Sequence, residues 1–349
     1  MTPTAGTGRP VSEQPSADDL AAMMSMITGH WVSQIVATVA HLGLADQLDA
    51  GPLTAAQLAA ASATDPSATS RLLRACAAIG LLDQRDDAFA STPLLRTLHS
   101  GAEHSLADFA RLATAQGPWL AWGRGLQAVR EGREQATAAL GKEIFDYFAD
   151  NPDEGALFST AMADLSAPVI AESVPVIDTT GVNLVVDVGG ANGTFVHALM
   201  TAHPDIKGLV LDLPHVVPGA LAEARRLGLA DRFAVVAGDF FAAVPAADLY
   251  LLKYILHGWD DDACVRLLRR VREAMNRCAR AVIVEIVQPH VDEPGAAPGA
   301  LMDMNMLVMT SGRERDLTEF DDLFARSGLR RTSITPVQPP YCVIEVTAY

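Results

Sequence analysis

Apolar residues recur at helical spacing from Ala17 through Ile27, Val32, Ile35, Val36 and Val39 to Leu42, and Gly43 then breaks the pattern. A short helix is predicted after Thr54, which can cap it with Gln57 three residues on. Asp65-Pro66 opens another, with Pro66 at the first helical position and an apolar stripe of Leu72, Leu73, Cys76 and Ile79 ending at Gly80. Leu81-Leu82-Asp83 and Ala88-Phe89-Ala90 flank the polar Asp86-Asp87 and predict a hairpin. Helix, turn, helix and hairpin in that order make a winged-helix arrangement. From Leu106 to Thr180 the pattern stays helical, punctuated by Pro118, Pro152, Pro168 and Pro175. After Gly181 its character changes. Short apolar runs at 183–188, 208–211, 233–236, 248–252, 281–286 and 343–346 alternate with helical stretches, which predicts a doubly wound parallel sheet.

The expected organisation is therefore a disordered tail over 1–16, rich in Thr, Gly, Pro and Ser, and a winged-helix-like region over 17–105. A helical linker and substrate-covering region over 106–180 follows, and a Rossmann-like α/β domain over 181–349 carries the chemistry.

Composition narrows the partners. The formal charge is −16, whereas a nucleic-acid binder needs a basic face to neutralise phosphate. The predicted recognition helix offers only Arg71 and Arg74, and Asp83, Asp86 and Asp87 in the hairpin would repel a phosphate backbone. A DNA-binding regulator is thus disfavoured, and a dimerisation or substrate-covering role for the winged helix is favoured. No stretch approaches the ~20 apolar residues of a membrane span. The four cysteines lack paired or CxxC spacing and read as buried, reduced thiols of a cytosolic protein.

The chemistry concentrates behind the predicted strands. Asp187-Val188-Gly189-Gly190-Ala191-Asn192-Gly193 lets the backbone turn tightly between a strand and a helix and approach a ligand. A phosphate-cradling P-loop is excluded, because no Gly-Lys-Ser/Thr ending is present. Asp212 ends the second strand at the spacing from Gly193 that suits a ribose-binding acid, which fits a nicotinamide cofactor as well as an adenosyl one. Past the fourth strand, Lys253, His257 and Trp259 lie where open sheets bind ligands. Asp260, Asp261 and Asp262 open a helix, where acids complement the dipole, and predict no metal site.

With these motifs in this order, the chain resembles the small-molecule O-methyltransferases of the caffeic acid type, found in plant phenylpropanoid and bacterial natural-product pathways. The resemblance covers nearly the whole chain. It implies S-adenosylmethionine as the methyl donor, a homodimer built through the N-terminal helices, and a small aromatic or polyketide-like acceptor. Residue by residue it implies that Gly189 lies against the cofactor and Asp212 holds the ribose. Asp239 and Phe240 would contact and flank the adenine, Lys253 would lie near the cofactor, and His257 would be the general base. Glu285 and Glu314 match the two acids that brace that base, and Phe158 and Met162 match residues lining the acceptor pocket. Three departures stand out: Gly258 in place of an Asp, Ala191 in place of a loop glycine, and Leu165 where plant members carry His. The last implies an acceptor different from the plant phenolics.

The chemistry is feasible with these groups. A phenol with pKa about 10 and an imidazole near about 6.5 differ by roughly 3.5 units, about 5 kcal/mol if proton transfer preceded attack. Transfer coupled to methyl attack avoids most of that cost, and an acid bonded to Nδ1 of His257 leaves Nε2 as acceptor. A relative with altered chemistry (methylation at nitrogen or carbon, hydroxylation or pericyclic catalysis) is the alternative expectation. Glu314, among Arg313, Arg315 and Asp316, could equally be part of a surface ion pair.

Overall fold

The computed structural model describes residues 14–349 except residue 103; most of the expected tail over 1–16 lies outside the described residues. The chain divides into two compact units, one ending at Arg96 and the other running from Thr97 to Tyr349.

In the first unit the capping residues do what their positions predict. Thr54 and Gln57 close a capping box on the helix Ala55–Ala61, and Asp65 caps Pro66–Ala78 through Ala68 N at 2.8 Å. Strands β1 (Leu53–Thr54), β2 (Leu82–Arg85) and β3 (Ala88–Ser91) pair antiparallel in the order β1-β3-β2. The single helix expected over 17–42 is instead two, Ala17–Ile27 and Gly29–Leu42, bent by 46°. Gly29, a poor helix former, stands at the break. Gly43 ends the second helix with φ +61, as expected of a left-handed cap. No residue of Ala17–Ile27 is buried within the chain, although the helix is largely apolar.

The second unit holds a sheet of seven strands: β4 (Leu184–Val188), β5 (Lys207–Asp212), β6 (Phe233–Ala237), β7 (Ala247–Lys253), β8 (Met275–Ile286), β9 (Leu329–Pro336) and β10 (Tyr341–Ala348). Their spatial order is β6-β5-β4-β7-β8-β10-β9; the first five are mutually parallel and β10 runs antiparallel to both neighbours. The α/β class and the parallel core match the expectation from sequence. β9 was not foreseen. Its sequence LRRTSITP is polar and largely solvent-facing, because an edge strand buries little and is protected by its charges.

Side chains alternate between two cores, as the two-residue strand period requires. Val186, Val188, Tyr250, Leu252 and Ile283 pack against the helices Asp261–Ala274 and Leu317–Arg326. Val185, Val210, Leu249, Leu251, Val282 and Val284 pack on the opposite face against Thr194–Ala202 and Pro152–Ser173. The helix Pro152–Ser173 runs unbroken through Pro168, which the sequence marked as a break. From β4 the chain winds outward through β5 to β6 and then crosses back to β7 on the other flank of β4, so the strand order reverses between β4 and β7. The carboxyl ends of β4 and β7 therefore form the topological switch point, where a ligand crevice is expected.

Of the four cysteines, Cys76 and Cys264 are buried free thiols, but Cys278 is exposed and Cys342 half-buried. The expectation that all are buried fails because the last two occupy the solvent-facing start of β8 and the strand β10 near the sheet edge.

Candidate active site

The crevice is shaped first by backbone. After β4, Gly189 adopts φ +69, and a Cβ there would come within 2.6 Å of Ile255 Cδ1. A Cβ on Gly190 would meet the Asp187 carboxyl at 2.6 Å, so the loop closes over a buried acid as tightly as glycine permits. Ala191 is left-handed at φ +48, which makes the glycine usual at that place understandable and costs roughly 1–2 kcal/mol in strain.

Asp212 ends β5 and accepts from Ala191 N at 2.8 Å and Leu213 N at 2.7 Å. Burial raises its pKa against those two hydrogen bonds. Asp239 lies beyond β6, exposed, and accepts from Phe241 N at 2.8 Å. Phe240 packs edge-on against Trp259, with centroids 6.1 Å apart. Lys253 ends β7, its ammonium 4.3 Å from the centroid of the Tyr254 ring. Burial pulls its pKa down to about 8 against the opposing pull of Asp187 and Glu285. Asp187 is pushed up to about 7, by burial first, with Lys253 opposing. Gly189, Asp212, Asp239, Phe240 and Lys253 thus all lie at the carboxyl edge of the sheet or in the loops that leave it.

His257 sits in a single 3-10 turn, Leu256–Gly258, just past β7. Its Nδ1 is 2.8 Å from Glu314 Oε1 and 3.9 Å from Glu285 Oε2. The two acids differ in function. Glu314 hydrogen-bonds the ring, whereas Oε1 of Glu285 accepts from Ile255 N at 2.9 Å and Leu256 N at 2.7 Å and so fixes the turn that carries it. Both acids are buried, Glu314 at 4% and Glu285 at 0% exposure, so Glu314 is no surface ion-pair member. Burial alone would lower the His257 pKa, but Glu285 and then Glu314 outweigh it and raise the pKa overall. Glu285 itself is pushed up to about 7 by burial. The three side chains bring one nitrogen and two carboxylate oxygens within 4.8 Å of one another, a donor set that could also take a cation. Asp260 caps its helix through Ala263 N at 2.7 Å, the role its position predicts.

Phe158 and Met162 lie on one face of Pro152–Ser173, in an aromatic wall. Phe158 stacks on Phe148 with centroids 4.9 Å apart and meets Phe145 edge-on at 6.1 Å; Phe145 stacks with Trp259 at 6.3 Å. The wall therefore reaches the turn that bears His257.

Three residues of this region escaped the sequence reading. Arg315 is fully buried; it bonds Asp261 and donates to the Leu256 and Trp259 carbonyls at 3.0 and 2.8 Å, clamping both ends of the turn that bears His257. Tyr254 has φ +57, a strained setting for a bulky residue that throws the chain out of β7 towards the turn. Asp187 stood in the glycine motif without a role. Its only signal is an acid inside an otherwise apolar strand.

Similarity to known proteins agrees with this geometry. An O-methyltransferase domain matches residues 122–330, and an O-methyltransferase dimerisation domain matches residues 24–101. The chain belongs to the O-methyltransferase family. It is 33% identical to the phenazine O-methyltransferase PhzM of Lysobacter antibioticus, over 93% of this chain and 94% of that protein. It is 32% identical to an 8-amino-8-demethylriboflavin N,N-dimethyltransferase of Streptomyces davaonensis, over 90% of this chain and 91% of that one. Its fold superposes on the crystal structure of human N-acetylserotonin methyltransferase in complex with SAM with a TM-score of 0.86 at 26% identity, covering 97% and 99% of the two chains. This O-methyltransferase uses S-adenosylmethionine, and the crevice suits it: the Gly189 approach leaves no room for a side chain, and a carboxylate stands at the adjoining strand end.

Proposed function

We propose that this O-methyltransferase transfers the methyl group to a hydroxyl, most simply a phenolic one, of a small aromatic or polyketide-like molecule, with His257 as general base. The single observation that carries the reading is the 2.8 Å contact between His257 Nδ1 and the buried Glu314. An Nδ1–H donated to a carboxylate fixes the tautomer and leaves Nε2 as the acceptor for the substrate proton. Only 18% of the imidazole side chain is exposed, so a proton moves to a shielded nitrogen rather than to bulk water.

When bound, S-adenosylmethionine supplies an already activated methyl group. The chain's residues must then bind, align and deprotonate. Gly189 and Asp212 would seat the nucleoside, with Asp239 and Phe240 at the adenine end and Lys253 beneath. Phe158 and Met162 would hold a flat acceptor against the aromatic wall, which presents its hydroxyl to Nε2. Glu314 and Glu285 would stabilise the imidazolium that forms. Alignment supplies much of the remaining acceleration. We also propose that the enzyme works as a cytosolic homodimer.

Methylation at nitrogen is a second reading, favoured by the riboflavin-type relative, which by its name acts on an amino group. The test separates the two. Purified protein is incubated with S-adenosylmethionine and matched panels of hydroxylated and amino aromatics, and products one CH₂ heavier are identified by mass and by site. His257→Ala is expected to lower hydroxyl methylation ~10²–10⁴-fold while cofactor binding persists. Asp212→Ala is expected to weaken cofactor binding instead. Unchanged turnover in His257→Ala would sink the base assignment.

A further inference from the structure

A cavity of about 270 Å³ opens beside the proposed acceptor region, lined among others by Asp164, Leu165, Pro168, Met302, Gln338 and Tyr341. It adjoins the site through two residues. Tyr341 lies against Tyr254, with centroids 5.2 Å apart, and Tyr254 lies 5.9 Å from the His257 ring. Leu165 follows Met162 by one helical turn on Pro152–Ser173.

The walls are apolar and short of donors. Pro168, Pro298, Pro339 and Pro340 line the cavity and have no backbone N–H. Among the described residues, its lining contains one carboxylate, Asp164, and neither lysine nor arginine. No hydrogen bond or ion pair among the described residues holds that carboxylate, while nearby Asp108 is already bonded to Arg111 at 2.8 Å. Pro168 stands four residues after Asp164, so the Asp164 carbonyl also loses its regular helical donor. One residue thus offers two kinds of acceptor in a half-buried, apolar setting, with His104 and Gln338 the other side chains able to hydrogen-bond besides Tyr341. Burial, and then Asp108, push the Asp164 carboxyl above its ordinary range, with His104 opposing. An acceptor-rich, anionic recess is completed by a group with several donors and a positive charge, which describes an alkylammonium.

We propose that this cavity is a specificity subsite for an aliphatic ammonium carried by the methyl acceptor, with Asp164 as its counter-ion. The proposal rests on the acceptor reading above, and it names the substrate class: an aromatic hydroxyl bearing a short amine arm. The volume is just below the ~300 Å³ lower bound of ordinary ligand pockets, so it suits an arm rather than a second ring system.

Matched probes test it: tyramine and its amine-free counterpart 4-ethylphenol, titrated calorimetrically into full-length protein saturated with S-adenosylhomocysteine. Tyramine is expected to bind about tenfold tighter, equivalent to ~1.4 kcal/mol. Asp164→Asn is expected to erase that preference without changing affinity for 4-ethylphenol or S-adenosylhomocysteine, and Asp164→Glu to retain part of it. Equal affinity for the two probes, binding of neither, or a preference that survives in Asp164→Asn overturns the subsite. Methylation of the same probes is read separately. A preference in binding with no methylation of either probe would leave the subsite standing and count against the hydroxyl-transfer reading.

Discussion

As the proposed base, His257 must be neutral to accept a proton, yet Glu285 and Glu314 favour its charged form. Its folded pKa is raised, so the stability its protonation contributes is fully present below the ordinary value of about 6.5 and is lost as pH rises through the folded value. Activity has the opposite sign. kcat/KM is expected to rise with pH along a limb centred above about 6.5, shared with Glu285, which burial pushes up to about 7 and which lies 3.9 Å from the ring. Glu314→Gln keeps an oxygen for the Nδ1–H bond but removes the charge. The limb should therefore move to lower pH while the plateau falls, because the imidazolium formed during transfer loses a counter-charge. A limb that stays in place in this variant would show that Glu314 does not act on the base. At this scale the sequence already marked the three residues that the structure brings together: His257, Glu285 and Glu314 stand in recognisable motifs. It did not show the division of labour between the acids, since Oε1 of Glu285 is committed to the backbone of Ile255 and Leu256, a fact of tertiary geometry alone.

The turn Leu256–Gly258 is held by elements distant in sequence, and here prediction from pattern reached its limit. Buried parallel strands are near-continuous apolar runs, so β4, β5, β7 and the end of β8 were legible. The polar edge strand β9 was not, and neither was Arg315, because a buried arginine carries no local signature. Gly312 is a further example. It looks like an ordinary loop glycine, but a Cβ there would lie 1.9 Å from the His257 carbonyl oxygen and 2.4 Å from Trp259 N. These are backbone atoms and cannot swing aside. Gly312→Ala must therefore push the segment bearing Glu314 away from the turn that bears His257. The expected result is a loss of about 1–3 kcal/mol in thermal unfolding together with a fall in kcat greater than the rise in KM. A variant as stable and active as the parent would show that the two segments do not need this contact.

For the molecule as a whole, the first unit leaves an apolar face without cover. Met23, Met24, Met26 and Ile27 of the first helix and Trp31 and Val32 of the second are each at least 40% exposed. Contiguous apolar patches of this kind are rarely left to water on a soluble monomer. No single helix among the described residues is long and apolar enough to cross a membrane, although these two helices together, bent by 46°, reach that length and composition. DNA is a poor explanation, since Asp83, Asp86 and Asp87 are exposed on the hairpin of a chain with net charge −16. The match of residues 24–101 to a dimerisation domain points to a second copy of the chain. The wild-type protein is accordingly expected to sediment as a dimer at micromolar concentration. Ile27→Glu and Trp31→Glu place charges on the apolar face without touching a buried side chain, so each should shift the equilibrium towards monomer while the second unit keeps its fold. Sedimentation velocity reads the mass, and S-adenosylmethionine affinity reads the integrity of the crevice. A dimer undisturbed by both charges would mean that the two helices face some other partner. A monomer that still binds S-adenosylmethionine would show that the crevice, built entirely from residues after Thr97, needs the dimer for something other than holding the cofactor.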